Sequence, residues 1–135
     1  MTTKEWLNQY RIAKIIAERS LDDLDAAAVY LRSPAYTGMP RGGDPKDMAD
    51  TVAHLERLRN RAEKARAKAI KLADEISEAI DAVPDKELRF LLWMRYVMCR
   101  NWYEVADAIC VSMKTVHRMH GRALRMVVVP QDDTP

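Results

Sequence analysis

From Leu55 to Val83 the chain places an apolar residue at every third or fourth position. Leu55, Leu58, Ala62, Ala65, Ala69, Leu72, Ile76, Ala79 and Val83 step by 3, 4, 3, 4, 3, 4, 3 and 4. A helix turns once per about 3.6 residues, so this alternation keeps one apolar seam on one side over many turns. Strands need a period of two and cannot use it. The seam predicts a helix from about Asp47 to Ala82. A seam so regular requires a helical partner, because its apolar side chains gain only when water is removed from them.

A partner precedes it. Between Lys4 and Leu31 the positions Trp6, Tyr10, Ala13, Ala17, Leu21, Leu24, Ala28 and Leu31 also step by three or four. Residues 33–46 hold three of the four glycines and three of the six prolines, a composition that stops helices and predicts a loop. The expected arm, residues 1–83, is an antiparallel helical hairpin or coiled coil around the 33–46 loop. With a rise of about 1.5 Å per residue, the second helix would be ~54 Å long and the first ~42 Å. Part of the seam would stay uncovered for a second copy of the chain, which predicts a homodimer through the arm.

The chain changes character after residue 84. Phe90, Trp93 and Tyr96, three of nine aromatics, fall within seven residues. Over Trp102–Leu124, the sequence WYEVADAICVSMKTVHRMHGRAL has the spacing of a helix-turn-helix. Val105 and Ile109 are four apart on a first helix, with small Ala106 where two helices approach closely. Val111 is the apolar residue of the turn, and Ser112 suits the N-cap of a second helix. Val116, Met119, Ala123 and Leu124 form that helix's inward face. Cys110 stands where such turns commonly carry glycine, so it either takes positive φ or the turn is built differently. The expected core is Val105, Ala106, Ile109, Val116 and Met119.

Charge is placed rather than abundant. The 135 residues carry a net charge of +2, yet Ser112–Met126 contains Lys114, Arg118, Arg122 and Arg125, two histidines and no carboxylate. Cations at a helix C-terminus also favour its dipole, which accounts for Arg122 and Arg125 but not for Lys114 in the first turn. A helix-turn-helix with a basic second helix fits the major groove of duplex DNA. Farther upstream, Arg57, Arg59, Arg61, Lys64, Arg66, Lys68 and Lys71 crowd into fifteen residues against one acid, Glu63. They spread around the helix and are read as a solvated flank rather than one flat nucleic-acid face.

Leu88–Val127 resembles the fourth region of bacterial sigma factors, with an LLWMRY helix, a WYEVADAI helix, a VS turn and a TVHRMHGRALRMV helix. The wider order adds an N-terminal helix, a TGMPRGG loop and a long charged helix. It resembles small phage and prophage proteins of the late-transcription regulator group that includes ArpU-like and RinA-like proteins. The resemblance implies an all-α fold, with the hairpin arm followed by a helix-turn-helix module at 84–128 and a disordered tail at 129–135. It implies a cytoplasmic transcription regulator that binds double-stranded DNA, with RNA polymerase as a further partner. By analogy, Met113, Lys114, His117 and Arg118 would face base edges, and Ser112, Thr115 and Arg122 would grip phosphates. A phage DNA-packaging component of the small-terminase kind, or a helical assembly protein, is the alternative. Those also combine a helix-turn-helix with a coiled coil, though usually with the DNA-binding part first.

Other classes find no support. Two cysteines, Cys99 and Cys110, do not make a disulfide scaffold. No signal-like or membrane-length apolar run occurs. The glycine-rich loop lacks the GKS or GKT ending of a nucleotide-binding loop. His117 and His120 with the two cysteines lack a metal-knuckle spacing, and no hydrolytic triad or HExxH is present. The sequence is read as a non-enzyme without cofactor or metal.

Overall fold

The structure is a computed structural model that describes residues 1–32 and 45–130. All regular structure among them is helical. α1 spans Thr3–Arg32 and α2 spans Pro45–Asp81. α3 spans Lys86–Leu92 and runs into a π-helical turn, Trp93–Val97. α4 spans Trp102–Ile109 and α5 spans Met113–Met126. α2 begins at Pro45, two residues earlier than predicted. Proline is well suited to a first helical position because its missing N–H would have had no partner there. The rest of the predicted loop, 33–44, lies outside the described residues, as do positions 131–135 of the predicted tail.

Local chemistry sets the helix starts. Thr2 Oγ1 accepts from the Glu5 amide at 3.1 Å, and Glu5 accepts in return from the Thr2 amide at 2.8 Å. This reciprocal pair is a capping box. Asp85 accepts from the amides of Glu87 and Leu88 at the head of α3. Asn101 caps α4 through the Glu104 amide at 2.8 Å, and Ser112 caps α5 through Thr115 at 3.2 Å. Each cap satisfies amides that the first helical turn leaves without partners.

The chain divides into two compact units at residues 12/13 and 69/70. The first contains Met1–Ile12 and the chain from Ile70 onward. Its core gathers Trp6 and Leu7 of α1, Ile76 and Ile80 of α2, Val83, Leu88, Leu91, Leu92, Met94 and Tyr96 with Val105, Val116 and Ala123. The start of α1 and the end of α2 thus complete the core of the C-terminal helices. Val129, expected in the tail, packs half-buried against the same core.

The second unit contains Ala13–Ala69. Among the described residues its buried side chains are small except for Leu58: Ala13, Ser20, Ala62 and Ala69. The Ser20 hydroxyl donates to the Ile16 carbonyl at 2.8 Å, so burial leaves its hydrogen satisfied. Leu21, expected on the apolar seam, is 51% exposed. Ala17, Glu18, Leu21 and Leu24 of α1 face Arg59, Ala62, Glu63 and Arg66 of α2 across an open groove of about 380 Å³. Along α2, Leu58, Ala62, Ala69 and Ile76 of the predicted seam are buried and Leu55, Ala65, Leu72 and Ala79 half-buried, while Val83 is buried just beyond the helix end.

Candidate nucleic-acid interface

The candidate interface is built on the first unit. α4 is eight residues long and ends in a tight turn. The Val111 amide donates to the Ala106 carbonyl at 3.0 Å, and the Cys110 amide to that of Asp107 at 3.1 Å. These two bonds make a Schellman motif, which requires a left-handed residue at the position between them. That residue is Cys110, with φ 63° and ψ 46°. Of the two possibilities left open by the sequence, positive φ is the one adopted. Cys99, at φ 57°, repeats the device after the π turn, where the Arg100 amide donates to the Met94 carbonyl at 3.0 Å. Nothing in the sequence pattern marked Cys99 for it.

The turn seats α5 with its apolar side down. Val105, Ala106, Val116 and Met119 are buried as expected, while Ile109 is half-buried. α3 and α4 both pack on α5. The outer side carries Lys114, His117, Arg118, Arg122 and Arg125, all exposed. Ser112 is exposed and Thr115 half-buried. Their hydroxyls pair with each other at 3.0 Å at the helix start. Met113 is half-buried and packs against the core. Gly121 lies in mid-helix with open space where a Cβ would stand.

His120 does not join that outer row. It is 8% exposed, and its Nε2 lies 2.6 Å from the Tyr96 hydroxyl. Tyr96 is 2% exposed. Burial, then the charges of Lys4, Arg95 and His117, lower the His120 pKa to about 4. Burial raises that of Tyr96 to about 12. A neutral phenol and a neutral imidazole share this bond, so the core gains a polar contact without a buried charge.

Trp102 ties the core to the surface. Its ring meets His120 edge-on at 4.5 Å and His117 at 5.2 Å between centroids. The Arg95 guanidinium stacks over the same ring at 4.6 Å and donates to the Arg100 carbonyl at 2.9 Å. Cation–π stacking and a hydrogen bond together hold Arg95 in one place. Sequence reasoning missed Arg95 and Trp102. The detectable signal was an arginine seven residues before a tryptophan that opens a helix, across a non-helical break.

Among the described residues, no cluster of three or more histidine, cysteine or acidic side chains could hold a metal ion. Both cysteines are free thiols. No described helix is long and apolar enough to cross a membrane.

The first unit is therefore an all-helical body that displays a short basic helix on an apolar core. Residues 30–127 match the family described as "Protein of unknown function (DUF1492)", and the chain belongs to that family. No curated protein and no solved structure matches the chain.

Proposed function

We propose that this chain is a sequence-specific, double-stranded-DNA-binding transcription regulator of phage or prophage type. In this reading α4, the Cys110–Ser112 turn and α5 form a sigma region-4-like helix-turn-helix, and α5 enters the major groove. The observation that carries the reading is the outer face of α5. Lys114, His117, Arg118, Arg122 and Arg125 are exposed together, with no carboxylate on the helix. A row of cations with no acid among them favours a polyanion, and a protruding helix fits the groove of duplex DNA.

Lys114, His117 and Arg118 lie toward the helix start and are assigned to base edges. Ser112, Thr115 and Arg122 are assigned to the phosphate backbone. Met113 contributes to seating the helix, since it packs against the core. The remainder is a helical hairpin arm, and the groove lined by both α1 and α2 supports that pairing. A second copy of the chain and RNA polymerase are the protein partners of this reading, and the cytoplasm is its compartment. No catalytic step, metal or cofactor belongs to it.

The test is binding to duplexes selected from a random-sequence pool, followed by fluorescence anisotropy at fixed salt. Lys114→Ala and Arg118→Ala are each expected to weaken the selected duplex by ~1–3 kcal/mol, the size of a base-edge contact, with helicity unchanged. Wild-type affinity in both variants would remove α5 as the reading element.

A further inference from the structure

The positive surface of the first unit does not end with α5. Arg95 is fixed over Trp102, and Trp102 touches His117 on the outer side of α5. The first turns of α1 belong to the same compact unit, anchored by buried Trp6 and Leu7 and half-buried Tyr10. Lys4 and Arg11 are seven residues apart, which puts them on one flank of α1 two turns from each other. Both are exposed. Their charges reach the module: Lys4 is among the groups that hold His120 down, and Arg11 among those that hold Arg95 down, in each case after burial. Glu5, the acid beside Lys4, accepts from the Thr2 amide at the helix start.

Three elements of the first unit thus carry cations: the head of α1, the π turn and α5. Among the described residues the one ion pair is Arg100 with Glu104, at 3.6 Å. Lys4, Arg11 and Arg95 have no carboxylate partner there. Gathered like charges raise the free energy of the unbound protein, and a polyanion laid along them removes that penalty. A lone helix bearing cations would be a solvated face. Here the cations come from separate parts of the chain, and one of them is locked by stacking.

We propose that Lys4 and Arg11, with Arg95, form a second DNA contact, a phosphate-binding track that continues from α5 onto the N-terminal turns of α1. The inference rests on duplex DNA being the ligand of α5. Its ligand is the phosphodiester backbone rather than the bases. Lysine and arginine at such positions fix how a protein lies on the duplex without selecting sequence.

The experiment measures anisotropy of the full chain with a fluorescein-labelled, mixed-sequence duplex of about 30 base pairs across a salt series. Each lost phosphate contact reduces the slope of log affinity against log salt by about one. Lys4→Ala with Arg11→Ala is expected to reduce that slope by about two and to weaken binding on the order of tenfold for every duplex tested. The charge-preserving pair Lys4→Arg with Arg11→Lys should keep the wild-type slope. Lys4→Gln with Arg11→Gln repeats the loss with longer polar side chains, and circular dichroism checks that helicity is intact. Wild-type slope in the alanine and glutamine pairs, from a wild type that binds, overturns the track and leaves the reading of α5 standing. A slope reduced equally in the charge-preserving pair also overturns it. A wild type that binds no duplex at any salt overturns the DNA reading, and the track with it.

Discussion

The two compact units of this chain bury different kinds of side chain. In the first, Leu7, Ile76, Ile80, Val83, Leu88, Leu91, Leu92, Val105 and Val116 are each at most 1% exposed, with Tyr96 at 2%. In the second, the buried residues among those described are three alanines, one serine and Leu58, each between 5% and 8% exposed. Burial stabilises by roughly 25 cal/mol per Å² of apolar area, so an alanine contributes a fraction of what a leucine does. One unit is a sealed core that can hold a helix in a fixed pose. The other is a pair of helix segments with a narrow contact, where helical propensity and length carry more of the stability.

Four substitutions or titrations would break or sharpen that contrast. Ala106→Glu introduces a carboxylate where α4 meets α5, and Ala106 is 5% exposed. It is expected to destabilise the first unit by more than about 4 kcal/mol, seen as loss of cooperative urea unfolding. A wild-type midpoint would mean that this core is not sealed.

Acid is a second lever. His120 titrates near 4 in the folded chain and near 6.5 when unfolded. Above pH 6.5 neither state holds the proton and this contribution is complete. As pH falls from 6.5 towards 4, only the unfolded chain takes the proton, so stability declines by up to about 3 kcal/mol in total. Below about 4 the group adds no further slope. His120→Phe should flatten the decline in this window, and an unchanged pH profile in that variant would remove His120 as its source. Tyr96 gives the mirror case: its raised value makes stability fall as pH rises from about 10 towards 12.

A pair of truncations compares the units directly. Leu91→Ala removes a side chain that is fully buried, and Leu58→Ala one that is 8% exposed in the thinner contact. Their expected costs are about 4 and about 2 kcal/mol, at opposite ends of the usual range. Equal costs by denaturant melts would erase the distinction. The smallest effect is a gain. Cys110→Gly relieves a left-handed residue of its Cβ and should stabilise the first unit by about 1 kcal/mol. A loss would show that the thiol packs usefully in the turn.

Much of this was legible in the sequence because helices advertise their faces. Leu58, Ala62, Ala69 and Ile76 of the α2 seam are buried as their period predicts, and so are Val105, Ala106, Val116 and Met119. The helix cap at Ser112 was readable because its residue type answers a local backbone need, whereas Cys110, which has a Cβ where glycine is usual, left two turn geometries open. What failed did so for tertiary reasons. α1 carries more apolar residues than its narrow contact can cover, so Ile12, Ile15, Ile16 and Leu21 are exposed while Leu7, off the expected stripe, is fully buried. Periodicity says that a face exists but not how wide it is. Ile80 was overlooked because the seam stopped at strict heptad positions. His120 was grouped with the outer cations because its partner, Tyr96, lies 24 residues earlier across two helix ends. Its spacing of four from Val116 was the available hint of an inward direction.

The continuity of the two long helices has a consequence for how this protein can be cut and recombined. A C-terminal helical module is often treated as a cassette that can be excised and fused elsewhere. Here the family match begins at residue 30, yet Trp6 and Leu7 lie in the core that supports α5. The C-terminal end of α2, which spans Pro45–Asp81, supplies Ile76 and Ile80 to the same core. An excised piece beginning at residue 84 would leave behind Trp6, Leu7, Ile76, Ile80 and Val83, and would expose the apolar side chains they cover. An excised piece that keeps the support of α5 must therefore be assembled from both ends of the chain, with Met1–Ile12 joined to the segment from Ile70 onward. The start of α1 and the end of α2 are part of that foundation rather than accessories attached to it.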